Sequence, residues 1–299
     1  MRKFEGIYAA MMTPLNRKLK IDENGLKYEV NFLIANHVHG LVVLGTVGEF
    51  PYITMEEKKR IIDIVVEQTN GRVPVIVCTS SMGTDEVILL SKHAKNSGAN
   101  GLMITLPLYY LLSDDDVFNH YYAISKAVNL PIILYDFPAL THLDMSLELI
   151  HRLSSSIDNV VGIKVTGAVE KAQEIIKTVQ KKDFSVFIGT SFLLLSILEM
   201  GGVGIIDPLP CVAPKDVVSI YKNFKKGNME EAARFQQKLY KLMPLLTESV
   251  QPPLVKEAMH QLGHPIQPYV KRPLPQITEE QKGIVRQSLV DMGLLKSKS

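Results

Sequence analysis

The sequence is poor in cysteine, has no long apolar run and carries almost no excess of either charge. Its two cysteines, Cys78 and Cys211, both lie in apolar surroundings, and a chain of 299 residues needs no disulfide scaffold to hold its core. They read as core thiols of a reducing compartment, so a cytoplasmic location is expected. No segment approaches the ~20 apolar residues of a membrane span. The opening MRKFEGIYAAMMTPL has a short apolar run that ends at Pro14, a poor signal peptide. With 33 basic and 31 acidic residues scattered along the chain, the net charge is +2 and no basic face argues for nucleic acid. No G-x-G-x-x-G follows the first strand candidate and no G-x-x-x-x-G-K-[ST] occurs, which counts against the nucleotide-binding doubly wound sheet. No Ser-His-Asp constellation or metal-ligand spacing stands out, which argues against a triad hydrolase and against zinc chemistry.

What is present is a regular alternation of short apolar runs with amphipathic helical stretches. The strand candidates are Gly6 to Thr13, Gly40 to Gly45, Pro74 to Thr79, Gly101 to Leu106, Pro131 to Tyr135, Val160 to Val165, Ser185 to Gly189 and Gly202 to Ile206. Helices are expected between them: Ile21 to Ala35 opened by Asp22, Met55 to Thr69 behind a Thr54/Glu57 capping box, Thr84 to Ser97, Ser113 to Val128, Ser146 to Ser156, Val169 to Lys181 and Phe192 to Met200. Eight β-then-α units are the arithmetic of a (β/α)8 TIM barrel, an α/β fold. After the eighth helix, near Lys215 to Phe224, more helix is expected at Met229 to Leu246, Pro253 to Leu262 and Thr278 to Met292. The chain therefore divides into a barrel over 1–225 and a C-terminal helical extension over 226–299.

In such a barrel the chemistry lies at the C-terminal ends of the strands. There the sixth run, NVVGIKVTG, places one lysine, Lys164, among β-branched and apolar residues. Burial disfavours the ammonium form and can leave a neutral amine able to attack a carbonyl. The alternative is a lysine that snorkels to water or pairs with a carboxylate. Hydroxyls gather at the same rim: Thr46 after strand two, Tyr109 after strand four, Tyr135 on strand five, Thr166 on strand six and Thr190-Ser191 after strand seven.

These residues carry a family resemblance. FEGIYAAMMTPL at the start, GTVGEFPYIT after strand two, LPLYYLLS after strand four, YDFPALT after strand five, NVVGIKVTG at strand six and VKRPLPQIT near the end resemble, in order and spacing, the dihydrodipicolinate synthase and N-acetylneuraminate lyase family of class I aldolases. The resemblance covers essentially the whole chain. It implies a homotetramer of TIM barrels that forms a Schiff base between the strand-six lysine and C2 of pyruvate or another 2-oxo acid, with no metal or organic cofactor. It makes Lys164 the nucleophile and Tyr135 the proton shuttle. Thr46 would link Tyr135 to a second tyrosine from a neighbouring subunit, for which Tyr109 fits better than Tyr110. Gly45, Val47 and Gly48 would cradle the 2-oxo acid carboxylate through backbone N–H groups, and Thr166, Gly189 and Ile206 would complete the substrate site.

Departures from the family pattern narrow the expectation. Val47 stands where many relatives have a second hydroxyl, and Leu140 where the synthases carry an arginine for the aldehyde's carboxylate. Ser191, Phe192 and Pro208 make the rim after strands seven and eight too apolar for a long sugar. The expected activity is a lyase or aldolase joining pyruvate and an aldehyde, acting on a 4-hydroxy-2-oxo acid of the 4-hydroxy-2-oxoglutarate or 2-keto-3-deoxy-sugar-acid type. The alternatives are 4-hydroxy-tetrahydrodipicolinate synthase itself, and a binding or regulatory protein on the same fold.

Overall fold

Eight short parallel strands close on themselves in sequence order, β1 pairing with both β2 and β8. The strands are β1 (Gly6–Ala10), β2 (Gly40–Val43), β3 (Val75–Cys78), β4 (Gly101–Thr105), β5 (Ile132–Asp136), β6 (Val160–Val165), β7 (Ser185–Ile188) and β8 (Gly204–Asp207). This computed structural model describes residues 4–167, 169–247 and 250–297. Every strand residue is buried, because helices cover the outside of the sheet and side chains fill the inside. That is why the strands read as continuous apolar runs rather than alternating ones. Inside the barrel Tyr8 meets Phe187 edge-on at 5.5 Å between ring centres and Phe4 at 6.1 Å. All eight strands fall where the sequence predicts them, with ends differing by a few residues. The family-like (β/α)8 barrel with C-terminal helices is the observed fold.

The helix starts follow local chemistry. Thr54 and Glu57 form the expected reciprocal cap of the helix Met55–Thr69, and Asp22 accepts from Gly25 N–H at the start of Glu23–Ala35. Three helices depart from expectation. The run predicted over Met229 to Leu246 breaks into Met229–Leu239, a 3-10 turn at Tyr240–Leu242 and a short turn Pro244–Thr247. Pro244 has no N–H to donate, and its ring would clash with the preceding turn. The helix Val169–Thr178 stops short of Lys181, whose ammonium instead donates to the carbonyls of Ile157, Asp158 and Val160. The helix expected over Phe192 to Met200 begins as a 3-10 turn, Ser191–Leu193, before Leu194–Glu199. Two single turns, Pro138–Thr141 and Leu209–Val212, were not expected; they follow β5 and β8 at the barrel mouth.

The C-terminal helices are fastened to that mouth. Lys256, on the helix Pro252–Gln261, is fully buried and pairs with Glu49 in the turn after β2, while also donating to the Tyr269 carbonyl at 2.7 Å. The second Glu49 oxygen accepts from Lys271 N–H at 2.6 Å, and Lys271 Nζ reaches Glu57 at 2.8 Å. The Glu49 side chain has no solvent exposure and braces the turn. Among the described residues no helix is long and apolar enough to cross a membrane.

Candidate active site

Lys164 comes from β6 and points into the barrel mouth, where it is 5% exposed. Its ammonium lies 4.3 Å from the centre of the Tyr135 ring, the residue directly beside it on β5. Among the described residues no carboxylate oxygen is within ion-pair distance of Nζ, so neither a salt bridge nor escape to solvent accounts for this lysine. The Tyr135 hydroxyl shares a 2.9 Å hydrogen bond with Thr46 Oγ1. An amine, a phenol and a threonine hydroxyl thus stand in one line at the C-terminal ends of β6, β5 and β2.

The turn carrying Thr46 is bracketed by two non-glycine residues in the left-handed region, Leu44 and Glu49, both at φ +61°. Such a conformation costs energy and has to be held by its surroundings. Thr13 Oγ1 donates to the Gly48 carbonyl at 2.7 Å, and the buried Lys256 holds Glu49. The turn leaves the N–H groups of Thr46 and Val47 without acceptors among the described residues, a geometry suited to a carboxylate.

On the other side of Lys164, Gly189 follows directly after β7. An ideal Cβ there would lie 2.0 Å from Thr166 Oγ1 and 2.9 Å from Lys164 Cε, so only glycine leaves room for both side chains. Thr166 Oγ1 is buried without a hydrogen-bond partner among the described residues and faces this opening. Asp207, at the end of β8, accepts from Ser191 Oγ at 2.5 Å and from Leu209 N–H at 3.0 Å. Burial raises its carboxyl to about 6, against the opposing effects of the Ser191 and Leu209 hydrogen bonds and the Lys164 charge.

These groups line a cavity of about 510 Å³. Phe137, Ala139 and Leu140 wall it after β5, Thr190, Phe192 and Pro208 after β7 and β8, and Met243, Leu246 and Gln251 of the C-terminal extension cover it. A second cavity of about 260 Å³ adjoins it, sharing Thr46, Tyr135, Phe137, Leu140 and Gln251 and extending to Phe50, Tyr52, Leu108 and Leu274. Lys164 is the one cation lining either cavity among the described residues.

Of the residues singled out from sequence, Lys164, Tyr135, Thr46, Gly45, Val47, Thr166 and Gly189 line the larger cavity. Three do not. Gly48 packs behind the turn against the backbone of Leu44 and Gly45. Ile206 is fully buried beside Tyr8 in the barrel interior and does not line the cavity. Tyr109, at φ +89° in the loop after β4, is 83% exposed and touches Tyr110 rather than the cavity of its own chain. Asp207 was missed because strand eight was read as ending at Ile206; an acid closing a buried apolar run was the available signal. Two further residues near the site have a structural role. Asp136, its carboxyl raised by burial against the pull of Lys171, pairs with Lys171 Nζ at 2.6 Å and ties β5 to the next helices. His142 stands at φ +56°, the left-handed region that favours glycine, and caps the turn Pro138–Thr141. Among the described residues no cluster of three or more His, Cys, Asp or Glu side chains is arranged around a common metal position.

A closed parallel (β/α)8 barrel with a buried lysine among hydroxyls at its C-terminal mouth defines a class of lysine-bearing TIM barrels. This chain belongs to the dihydrodipicolinate synthetase family, whose model matches residues 3–291. It is 32% identical over 292 residues to the 4-hydroxy-tetrahydrodipicolinate synthase of Methanocaldococcus jannaschii, covering 98% of this chain and all of that one. It is 33% identical over 299 residues to the probable 2-dehydro-3-deoxy-D-pentonate aldolase YjhH of Escherichia coli, covering 99% of each. Among solved structures it is similar to YagE, an Escherichia coli K12 prophage protein of the same family crystallised in complex with pyruvate. The TM-score is 0.95 at 30% identity, over 98% of this chain and 99% of that one.

Proposed function

We propose that this protein is a class I, Schiff-base lyase or aldolase that cleaves or forms the C–C bond between pyruvate and an aldehyde, acting on a 4-hydroxy-2-oxo acid. The observation that carries this reading is the buried amine of Lys164, without a carboxylate partner among the described residues and set against Tyr135, whose hydroxyl is bonded to Thr46. In the cleavage direction the neutral amine adds to C2 of the substrate to give a carbinolamine. Tyr135 passes a proton to the departing hydroxyl, water leaves, and a protonated imine remains. Tyr135 then takes the proton of the C4 hydroxyl. The C3–C4 bond breaks, its electron pair flows into the imine, and an aldehyde departs. Protonation of the resulting enamine at C3 and addition of water return pyruvate and the free amine. The Thr46 and Val47 N–H groups suit the substrate carboxylate, and Val47 offers that carboxylate no side-chain donor. YagE, whose structure was determined with pyruvate, and YjhH, named as an aldolase of a 2-keto-3-deoxy sugar acid, support the pyruvate and aldehyde halves of this reading.

A second reading, 4-hydroxy-tetrahydrodipicolinate synthase, is favoured by the name of the M. jannaschii relative. The exposed Leu140 and the absence of arginine among the described lining residues weigh against it, since a second carboxylate in either cavity would lack a guanidinium fork. A catalytically weakened binding protein is disfavoured by the intact Lys164, Tyr135 and Thr46 set. The test is borohydride reduction in the presence of a panel of 2-oxo acids, followed by intact mass and peptide mapping. A reduced adduct on Lys164 with pyruvate is expected; no adduct with any 2-oxo acid overturns the reading. Aldehyde release from 4-hydroxy-2-oxo acids, compared with condensation of pyruvate and aspartate semialdehyde, then separates lyase from synthase.

A further inference from the structure

The proposed cleavage turns a 4-hydroxy-2-oxo acid into pyruvate and an aldehyde with no further reactant, and it leaves the group carried on C4 undefined. The second cavity bears on that group. Tyr135, which takes the C4 hydroxyl proton, lines both cavities, whereas Gly45 and Val47 of the turn that suits the carboxylate line only the larger one. The carboxylate end and the C4 end of the substrate therefore point to different cavities. Most polar side chains of the second cavity are already committed. Thr105 Oγ1 donates to the Leu106 carbonyl at 2.9 Å, and Thr141 Oγ1 donates to that of Phe137 at 3.0 Å. Thr46 is bonded to Tyr135, Gln251 Nε2 donates to the Leu246 carbonyl at 3.0 Å, and Glu49 is paired with Lys256. The remaining one, Tyr52, is exposed. Phe50, Leu108, Phe137, Leu140, Pro252 and Leu274 supply the apolar wall.

We infer that the aldehyde released by this enzyme is uncharged and apolar, its substituent an aromatic ring or branched alkyl group seated in the second cavity. The inference rests on the Schiff-base reading of Lys164 and names the substrate class for that same site. A carboxylate or phosphate on C4 would enter a space whose one charged lining side chain among the described residues is the acid Glu49. Its charge would be left without a partner. A polyol would exchange water for threonine hydroxyls that already spend their protons on backbone carbonyls. The larger cavity offers a polyol little more. Thr166 carries its one buried hydroxyl without a partner among the described residues, and Phe192, Pro208, Met243 and Leu246 stand around it. Size agrees with this class. A cavity of about 150 Å³ lined by aliphatic and aromatic side chains holds a benzene ring, and the second cavity has about 260 Å³.

The full-length protein is given three substrates that differ only in the group on C4: 4-hydroxy-2-oxo-4-phenylbutanoate, 4-hydroxy-2-oxoglutarate and 2-keto-3-deoxygluconate. Pyruvate release is followed for each. The kcat/KM for the phenyl substrate is expected to exceed that for either of the others at least about tenfold. Comparable or higher values for the dicarboxylate or the sugar acid overturn the inference. So does a protein that traps pyruvate on Lys164 and does not cleave the phenyl substrate. No borohydride-trapped adduct with any 2-oxo acid overturns the Schiff-base reading instead. Leu274 lines only the second cavity, and Leu274→Arg places a guanidinium there. The ratio of kcat/KM for the phenyl substrate to that for the dicarboxylate is then expected to fall at least about tenfold; an unchanged ratio overturns the placement in this cavity. Where Leu274→Arg does not fold, Leu140→Arg, at a side chain already exposed, makes the same comparison.

Discussion

At the scale of single residues, buried ionisable groups set opposing pH slopes on stability. Glu29 is fully buried, with Oε1 accepting from Met12 N–H at 3.1 Å and Oε2 unpartnered among the described residues, and burial raises its carboxyl from 4.5 to about 8. The folded chain therefore keeps a proton that the unfolded chain has lost, and stability falls as pH rises from 4.5 to 8. His120 acts in the other direction. Burial lowers its pKa from 6.5 to about 4, so between those values the unfolded chain holds the extra proton and stability rises with pH. The two slopes oppose each other below pH 6.5, and above it only that of Glu29 remains of the pair. Urea denaturation between pH 6.5 and 8 should thus show stability falling by up to about 1.4 kcal/mol per pH unit, and Glu29→Gln should flatten the slope. Tyr135 tests the site rather than the fold. Tyr135→Phe removes the hydroxyl bonded to Thr46 and should lower kcat by about 10²–10⁴, while Lys164 remains trappable with pyruvate.

At the scale of elements, the site depends on two local devices. The first is the left-handed turn after β2, held by the buried pair of Glu49 and Lys256. Breaking such a pair from one side leaves a charge stranded, so Lys256→Met should cost about 3–5 kcal/mol in urea unfolding. The double variant with Glu49→Gln should recover part of that loss. Because the same turn presents the Thr46 and Val47 N–H groups, Lys256→Met should also raise the KM for the 2-oxo acid. The second device is Gly189. In Gly189→Ala the new methyl meets Thr166 and the Lys164 stem, so pyruvate trapping should fall at least about tenfold while the circular dichroism of the barrel persists. A retained adduct would mean that β7 yields and that the close packing beside Lys164 is not required.

At the scale of the whole molecule, the loop after β4 is the segment that bears on assembly. Tyr109, Tyr110 and Leu111 are all exposed beyond 70%, an unusual concentration of apolar surface in one loop. The homotetramer that the family resemblance implies, with Tyr109 acting across a subunit boundary, would give that loop a place. It predicts a tetramer mass by sedimentation and, in Tyr109→Phe, reduced turnover at unchanged mass. Full turnover in a sedimenting monomer would remove the cross-subunit role.

The barrel was legible in the chain because its determinants are local. Strands buried on both faces appear as apolar runs between glycine and proline, and the caps at Asp22, Thr54 and Thr278 require only residues a few positions apart. Lys164 was conspicuous for the same reason, as a charge within one such run. The misplaced features depend on distance. Glu49 and Lys256 are 207 residues apart, and no local pattern predicts that one will bury the other's charge. Ile206 was placed in the site by its position at a strand end, but it packs beside Tyr8 below the cavity, a depth along the barrel axis that no local pattern gives. The amino-acid order by itself determined the eight βα units, the helix starts and the identity of the lysine. Only the closed barrel decided what faces that lysine, since closure brings β5 and β7 to either side of β6 and the turn after β2 across from it, and with them Tyr135, the gap at Gly189 and Thr46.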